Sequence, residues 1–122
     1  MQRTFIILPE FDKNWKSMGL SDEDLRRLEN LILQDPEAGA LMQGTGGLRK
    51  LRFAFENRGK SGSARVCYVD FVLRETVFLI TAYPKNEKEN LSKAERNNIR
   101  KVIECLDESF SRERFKGDGF FS

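Results

Sequence analysis

Six basic side chains fall within residues 44 to 66, namely Arg49, Lys50, Arg52, Arg58, Lys60 and Arg65, against a single acid, Glu56. The rest of the chain carries 15 basic and 18 acidic residues, so the positive charge belongs to this stretch and not to the protein as a whole. A local cationic concentration in a near-neutral chain points to a site for an anion, most often nucleic acid. With no histidine and two cysteines far apart in sequence, the usual zinc ligands and imidazole bases are missing. Neither a metal nor a cofactor is expected, and any chemistry must use Lys, Arg, Tyr, Asp or Glu. Such groups can cut an RNA backbone by attack of the 2'-hydroxyl on its own phosphate. A base then accepts the hydroxyl proton, cations neutralise the pentacovalent phosphorane, and an acid protonates the leaving oxygen. Arginine suits the second role because its planar fork matches phosphate oxygens. Crowded lysines repel one another, which lowers their pKa and lets one share a proton with substrate. Tyr68 and Tyr83 offer rings on which an unpaired base can stack. The plain competitor is a solvated hairpin with charged outer faces.

The elements that would hold these groups are legible from periodicity. In residues 48 to 55, Leu51, Phe53 and Phe55 alternate with Lys50, Arg52 and Ala54, which predicts a strand with one apolar and one cationic face. A loop of turn-forming residues follows at 57 to 63, and residues 64 to 72 resume as a strand that begins near Arg65. Residues 76 to 83 read almost continuously apolar, as expected of a strand inside a sheet, and lead into a turn bearing Lys85 and Glu87. In an antiparallel meander these strands bring Lys50, Arg52, Arg65 and Tyr83 side by side, with the 84–88 turn at their ends. Upstream, residues 3 to 8 read as a strand ended by Pro9. Phe11, Trp15 and Met18 share one face of a short helix, and Ser21 caps a second helix with the stripe Leu25, Leu28, Leu31 and Ile32. Ser92 and Glu95 form a capping box before a third helix striped by Ile99, Val102, Ile103, Leu106 and Phe110. The expected class is α+β, in the order β-α-α-β-β-β-α, with helices packed over an antiparallel sheet.

A chain of this length forms one domain, taken as residues 1–110, with residues 111–122 a tail that is partly disordered or docks elsewhere. The opening apolar run is too short for a signal peptide or a membrane span, so a cytoplasmic protein is expected. Cys67 and Cys105 are expected to be plain core residues. Gly59, Lys60 and Ser61 imitate the end of a nucleotide phosphate loop, but Ala54 stands where that pattern needs glycine, and the segment joins two strands instead of a strand and a helix.

Three blocks in order, GTGGLRKLR (44–52), GKSGSAR (59–65) and YPKNE (83–87), resemble the HigB/RelE-type toxins of bacterial toxin–antitoxin systems, nearest their HigB-like branch. The resemblance runs over about residues 3 to 106. It implies a RelE-like fold and a ribosome-dependent mRNA endonuclease that enters the ribosomal A site, cleaves the exposed codon by 2'-hydroxyl attack and is neutralised by a cognate antitoxin. Operator DNA would be met only through the antitoxin complex, and no membrane is involved. Block by block, it implies catalytic roles for Lys50, Arg52, Arg65 and Lys85. RNA contacts are then expected from Arg49, Arg58, Lys60, Tyr68, Tyr83 and Glu87. After Lys85, where relatives often carry tyrosine or arginine, this chain has Asn86 and Glu87. The competing readings are a catalytically inactive RNA-binding protein or antitoxin-dependent co-repressor, and an adaptor domain whose basic face meets an acidic protein.

Overall fold

The computed structural model describes residues 2–56 and 62–119, with side chains through residue 111. Strand β1 (Thr4–Ile7) leads through Leu8 into helix α1 (Pro9–Ser17), whose first position is the proline that ended the strand. Proline fits there because the first N–H of a helix has no intrahelical partner. Helix α2 (Asp22–Gln34) begins at Ser21, whose hydroxyl accepts from the Asp24 N–H while the Asp24 carboxylate accepts from the Ser21 N–H. Then come β2 (Ala40–Leu41), β3 (Leu48–Ala54), β4 (Ser63–Phe71), a 3-10 turn (Val72–Arg74), β5 (Thr76–Pro84) and α3 (Lys93–Gly119). The capping box at the start of α3 is formed as expected, with Ser92 and Glu95 exchanging hydrogen bonds. Backbone helix continues past Phe110, where the apolar stripe ends, through Gly119.

The strands form one sheet in the order β1-β5-β4-β3-β2. Strands β2 to β5 are the expected antiparallel meander, with the two-residue β2 added at its edge. The sheet is not antiparallel throughout: β1 pairs with β5 in parallel, Thr4 opposite Thr76 and Ile7 opposite Leu79. That pairing makes β5 an interior strand, which explains its nearly continuous apolar run.

Two buried clusters fill the two faces. Phe11, Trp15, Leu28 and Ile32 of the first two helices pack with Phe53, Val66, Tyr68, Val77 and Leu79, while Ile99 and Ile103 of α3 pack with Leu48, Cys67, Val69, Phe78 and Ile80 on the other side. Cys67 is fully buried, but Cys105, expected in the core, is exposed because it lies off the α3 stripe that meets the sheet.

One irregularity governs the site. Cys67 pairs with Thr81 but the next residue, Tyr68, pairs with Leu79, so β5 carries an extra residue at Ile80. Side chains alternate with period two, and one extra residue therefore reverses every side chain beyond it. Val77 and Leu79 belong to the α1–α2 face before the bulge; after it Ala82 does, and Tyr83 turns to the α3 face. The β3–β4 loop is closed at its base by a hydrogen bond from the Phe55 N–H to the Gly62 carbonyl, 3.0 Å. A Cβ on Gly62 would stand 3.1 Å from the Phe55 ring, which accounts for glycine there.

Candidate active site

Register places Arg52 of β3 opposite Arg65 of β4, and Arg65 opposite Tyr83 of β5. The row lies at one end of the sheet, with Lys50 opposite Cys67 two pairs further in. Like charges directly opposite each other destabilise a strand pair, yet the two guanidinium groups converge. Arg52 Nε and Arg65 Nη1 both donate to Ser63 Oγ at 3.4 Å. Ser63 is itself buried, and its carbonyl accepts the Lys85 N–H at 3.0 Å. One residue thus ties together the two arginines and the turn that carries Lys85.

The segment after β5 lies across this row. The Glu89 carboxylate accepts from Arg65 Nη2 at 3.4 Å, with the arginine side chain 12% exposed and the glutamate 65%. Lys50 Nζ donates to Asn90 Oδ1 at 2.8 Å. Lys88 pairs with Glu95 at the start of α3 and sits 5.0 Å above the Tyr83 ring. The Lys88 and Ser92 hydrogen bonds hold the Glu95 carboxyl below the usual glutamate range. Beneath this cover Tyr83 is 3% exposed, its hydroxyl has no hydrogen-bond partner among the described residues, and burial pushes its pKa up to about 12. Burial likewise raises the Cys67 thiol to about 12, which leaves it an inert core group.

Beside the row opens a cleft of about 730 Å³. Its walls are the end of α1 at Ser17 and Met18, the Arg52 and Phe55 side of β3, Ser63, and the 84–87 turn. The turn is closed by a hydrogen bond from the Glu87 N–H to the Pro84 carbonyl, 3.1 Å, so Lys85, Asn86 and Glu87 all face the cleft from a short, fixed segment. The space suits a nucleotide-sized ligand, and Arg52 and Lys85, from two chain segments, border it.

The family described as the RelE toxin of the RelE/RelB toxin–antitoxin system matches residues 5–115. The chain belongs to the RelE toxin family. The fold of this RelE-family toxin is similar to a solved structure of the E. coli toxin RelE, a double arginine-to-alanine mutant in the free state. The two share 20% sequence identity at a TM-score of 0.51, over 73% of this chain and 90% of that one.

Within the RelE-family toxin, the residues expected to act together divide into two groups. Lys50, Arg52 and Arg65 share the α3 face, and Arg52 borders the cleft with Lys85 and Glu87. Arg49 does not join them. It alternates to the opposite face, where its guanidinium donates to the carbonyls of Glu37 and Gly39 at 3.3 and 2.8 Å and ties down the loop after α2. Tyr68 is not a stacking platform either: it is fully buried, and its hydroxyl donates to the Pro36 carbonyl at 2.8 Å and accepts the Gly39 N–H at 3.0 Å. Glycine is required at 39 because a Cβ there would meet the Tyr68 ring and hydroxyl at 3.0 Å. Tyr83 lies in the right row but is covered by Lys88, so its ring is closed to a base in this conformation. Arg58 and Lys60 lie outside the described residues. Sequence reasoning missed Ser63, Glu89 and Asn90. Only the β3–β4 register could have singled out Ser63 beside two arginines.

Proposed function

We propose that this RelE-family toxin, of the HigB-like branch, is a cytoplasmic, ribosome-dependent mRNA endonuclease that works without a metal and inhibits translation by cutting A-site codons. Its partners are the ribosome with its bound message and a cognate antitoxin, through which alone it reaches operator DNA. The observation that carries this reading is the facing Arg52–Arg65 pair on Ser63. Two like charges held together at the mouth of a nucleotide-sized cleft work against the fold, and they make chemical sense only with an anion between them.

In this mechanism the scissile phosphate sits between the two guanidinium forks, displacing Glu89 from Arg65. Charge on the non-bridging oxygens grows as the 2'-oxygen adds to phosphorus, and the forks are already oriented by Ser63 and by their strands, so they stabilise the phosphorane more than the diester. Lys50 adds positive potential from two pairs along β3, on the same face. Lys85 has no ion pair among the described residues and faces the cleft, which places its ammonium group where it can donate a proton to the departing 5'-oxygen. Products are a 2',3'-cyclic phosphate and a 5'-hydroxyl. Arg58 and Lys60 supply phosphate contacts on the approach side, and residues 111–122 form a tail separate from this chemistry.

The test is to induce the protein in bacteria and map 5' ends on a translated message, with Arg65→Ala as comparison. Wild type should cut within codons and leave cyclic-phosphate ends that persist when free metal is chelated around intact ribosomes. Arg65→Ala should hold ribosomes within about tenfold of wild type and lose on the order of 100-fold in single-turnover cleavage. Ordinary 3'-hydroxyl ends would exclude attack by the 2'-oxygen.

A further inference from the structure

Transfer of the 2'-hydroxyl proton needs a base, and the cleft offers one carboxylate. Among the described residues that line it, Ser17, Arg52, Ser63, Lys85 and Asn86 carry hydroxyl, cationic or amide groups, and Glu87 alone is acidic. We propose that Glu87 is the general base of the cleavage step, an assignment that rests on the endonuclease reading above and adds to it the group that reading leaves open. Three features single it out.

First, Glu87 has no hydrogen bond or ion pair from its side chain among the described residues, while Glu89 is engaged by Arg65 and Glu95 by Lys88. A base must be free to accept beside the substrate: Glu95 is held by Lys88, and Glu89, which the phosphate displaces from Arg65, is not among the residues that line the cleft. Second, its backbone is fixed by the turn hydrogen bond to Pro84, and the same turn is anchored to β4 by the Lys85 N–H on the Ser63 carbonyl. The backbone that carries Glu87 therefore stands in a constant relation to Ser63, on which the phosphate-binding arginines converge. Third, Glu87 also borders a second groove of about 250 Å³ that runs between α1 and the start of α3, so it stands on the ridge where the two clefts meet. RNA lying in both grooves would pass beside Glu87, Ser17 and Pro84, which border both.

The step balances without any outside reagent. The Glu87 carboxylate takes the proton from the 2'-hydroxyl as the 2'-oxygen forms its bond to phosphorus. The bond from phosphorus to the 5'-oxygen breaks, and the Lys85 ammonium group returns one proton to that oxygen. The charged groups around Glu87 are Arg52 from β3, Lys85 and Lys88 from its own segment, Glu10 and Lys13 from α1, and Glu95 from α3.

The experiment is single-turnover cleavage of ribosome-bound message by Glu87→Gln, a substitution that keeps shape on an exposed turn. The expected result is a rate loss of at least about 100-fold with ribosome affinity within about threefold of wild type. Glu87→Asp should recover part of the rate. A Glu87→Gln protein that cuts within about fivefold of wild type overturns the assignment and leaves the endonuclease reading standing, as does one that loses affinity in place of rate. A wild-type protein that cuts nothing on ribosomes overturns both.

Discussion

Replacing Arg52 by glutamine should stabilise the fold while it inactivates the toxin. Arg52 and Arg65 face each other across β3 and β4, and the two nitrogens that reach Ser63 Oγ each lie 3.4 Å from it. They are therefore separated by no more than about 7 Å. Two unit charges at that distance repel by about 0.6 kcal/mol in a water-like medium and about 2.4 kcal/mol at the effective dielectric of a protein surface. Arg52 is exposed, which places the value toward the lower end, and no carboxylate pairs with it among the described residues. Glutamine keeps most of the stem and removes the charge, so a gain of about 0.5–1 kcal/mol is expected. At about 3–5 °C per kcal/mol for a chain of this size, the midpoint should rise by about 2–4 °C. The assay is reversible thermal unfolding of the free toxin at low and high salt, beside cleavage of ribosome-bound message. Salt screens exposed charges, so the gain should shrink as salt increases. A midpoint that falls by 2 °C or more would show that the arginine holds the sheet end together, and the claim that its charge is kept for an anion would fail.

Tyr68→Phe removes the hydroxyl that joins Pro36 and Gly39 and leaves both backbone groups buried without it. A loss of about 2–3 kcal/mol in urea unfolding is expected, with cleavage at 25 °C within about twofold of wild type; a large activity loss without destabilisation would restore a stacking role. For Glu95 the folded pKa is lowered, so its contribution is present above the unfolded value near 4.3 and is lost as pH falls through the folded value. Amide protection factors in residues 85–92, taken against the intrinsic rate at each pH, should therefore fall on acidification below about pH 4, and Glu95→Gln should already show weak protection at neutral pH.

Much of this arrangement was legible because alternation in residues 48–55 is unambiguous. Core residues at one parity leave Lys50 and Arg52 no choice but the other face, and the same alternation should have removed Arg49 from the RNA-binding set. The capping residues Ser21 and Ser92 were equally readable, since their partners lie three residues away. What stayed hidden depends on register between distant segments. The parallel pairing of β1 with β5 joins residues about 70 apart, and no local pattern reports it. The bulge at Ile80 falls in a run apolar on both faces, where a change of phase leaves no trace in composition. Tyr68 and Tyr83 look alike in sequence, yet one fastens a loop and the other ends up under a lysine. The Glu89 and Asn90 contacts arise from a segment with no period at all, folded back onto strands 24 and 40 residues earlier.

The hydrogen bond that closes the β3–β4 loop at Phe55 and Gly62 bears on how this part of the chain can change. Everything that positions Arg52 and Arg65 lies on the strand side of that closure, so residues inserted beyond it extend a tether whose ends are already fixed. Closure entropy grows only with the logarithm of length, and doubling such a loop costs about 0.6 kcal/mol. The loop is therefore free to lengthen, shorten or exchange its charges from one relative to another while the cleft behind it stays as it is. On the proposed endonuclease reading, affinity for the ribosome and the cutting step can vary in evolution as separate traits.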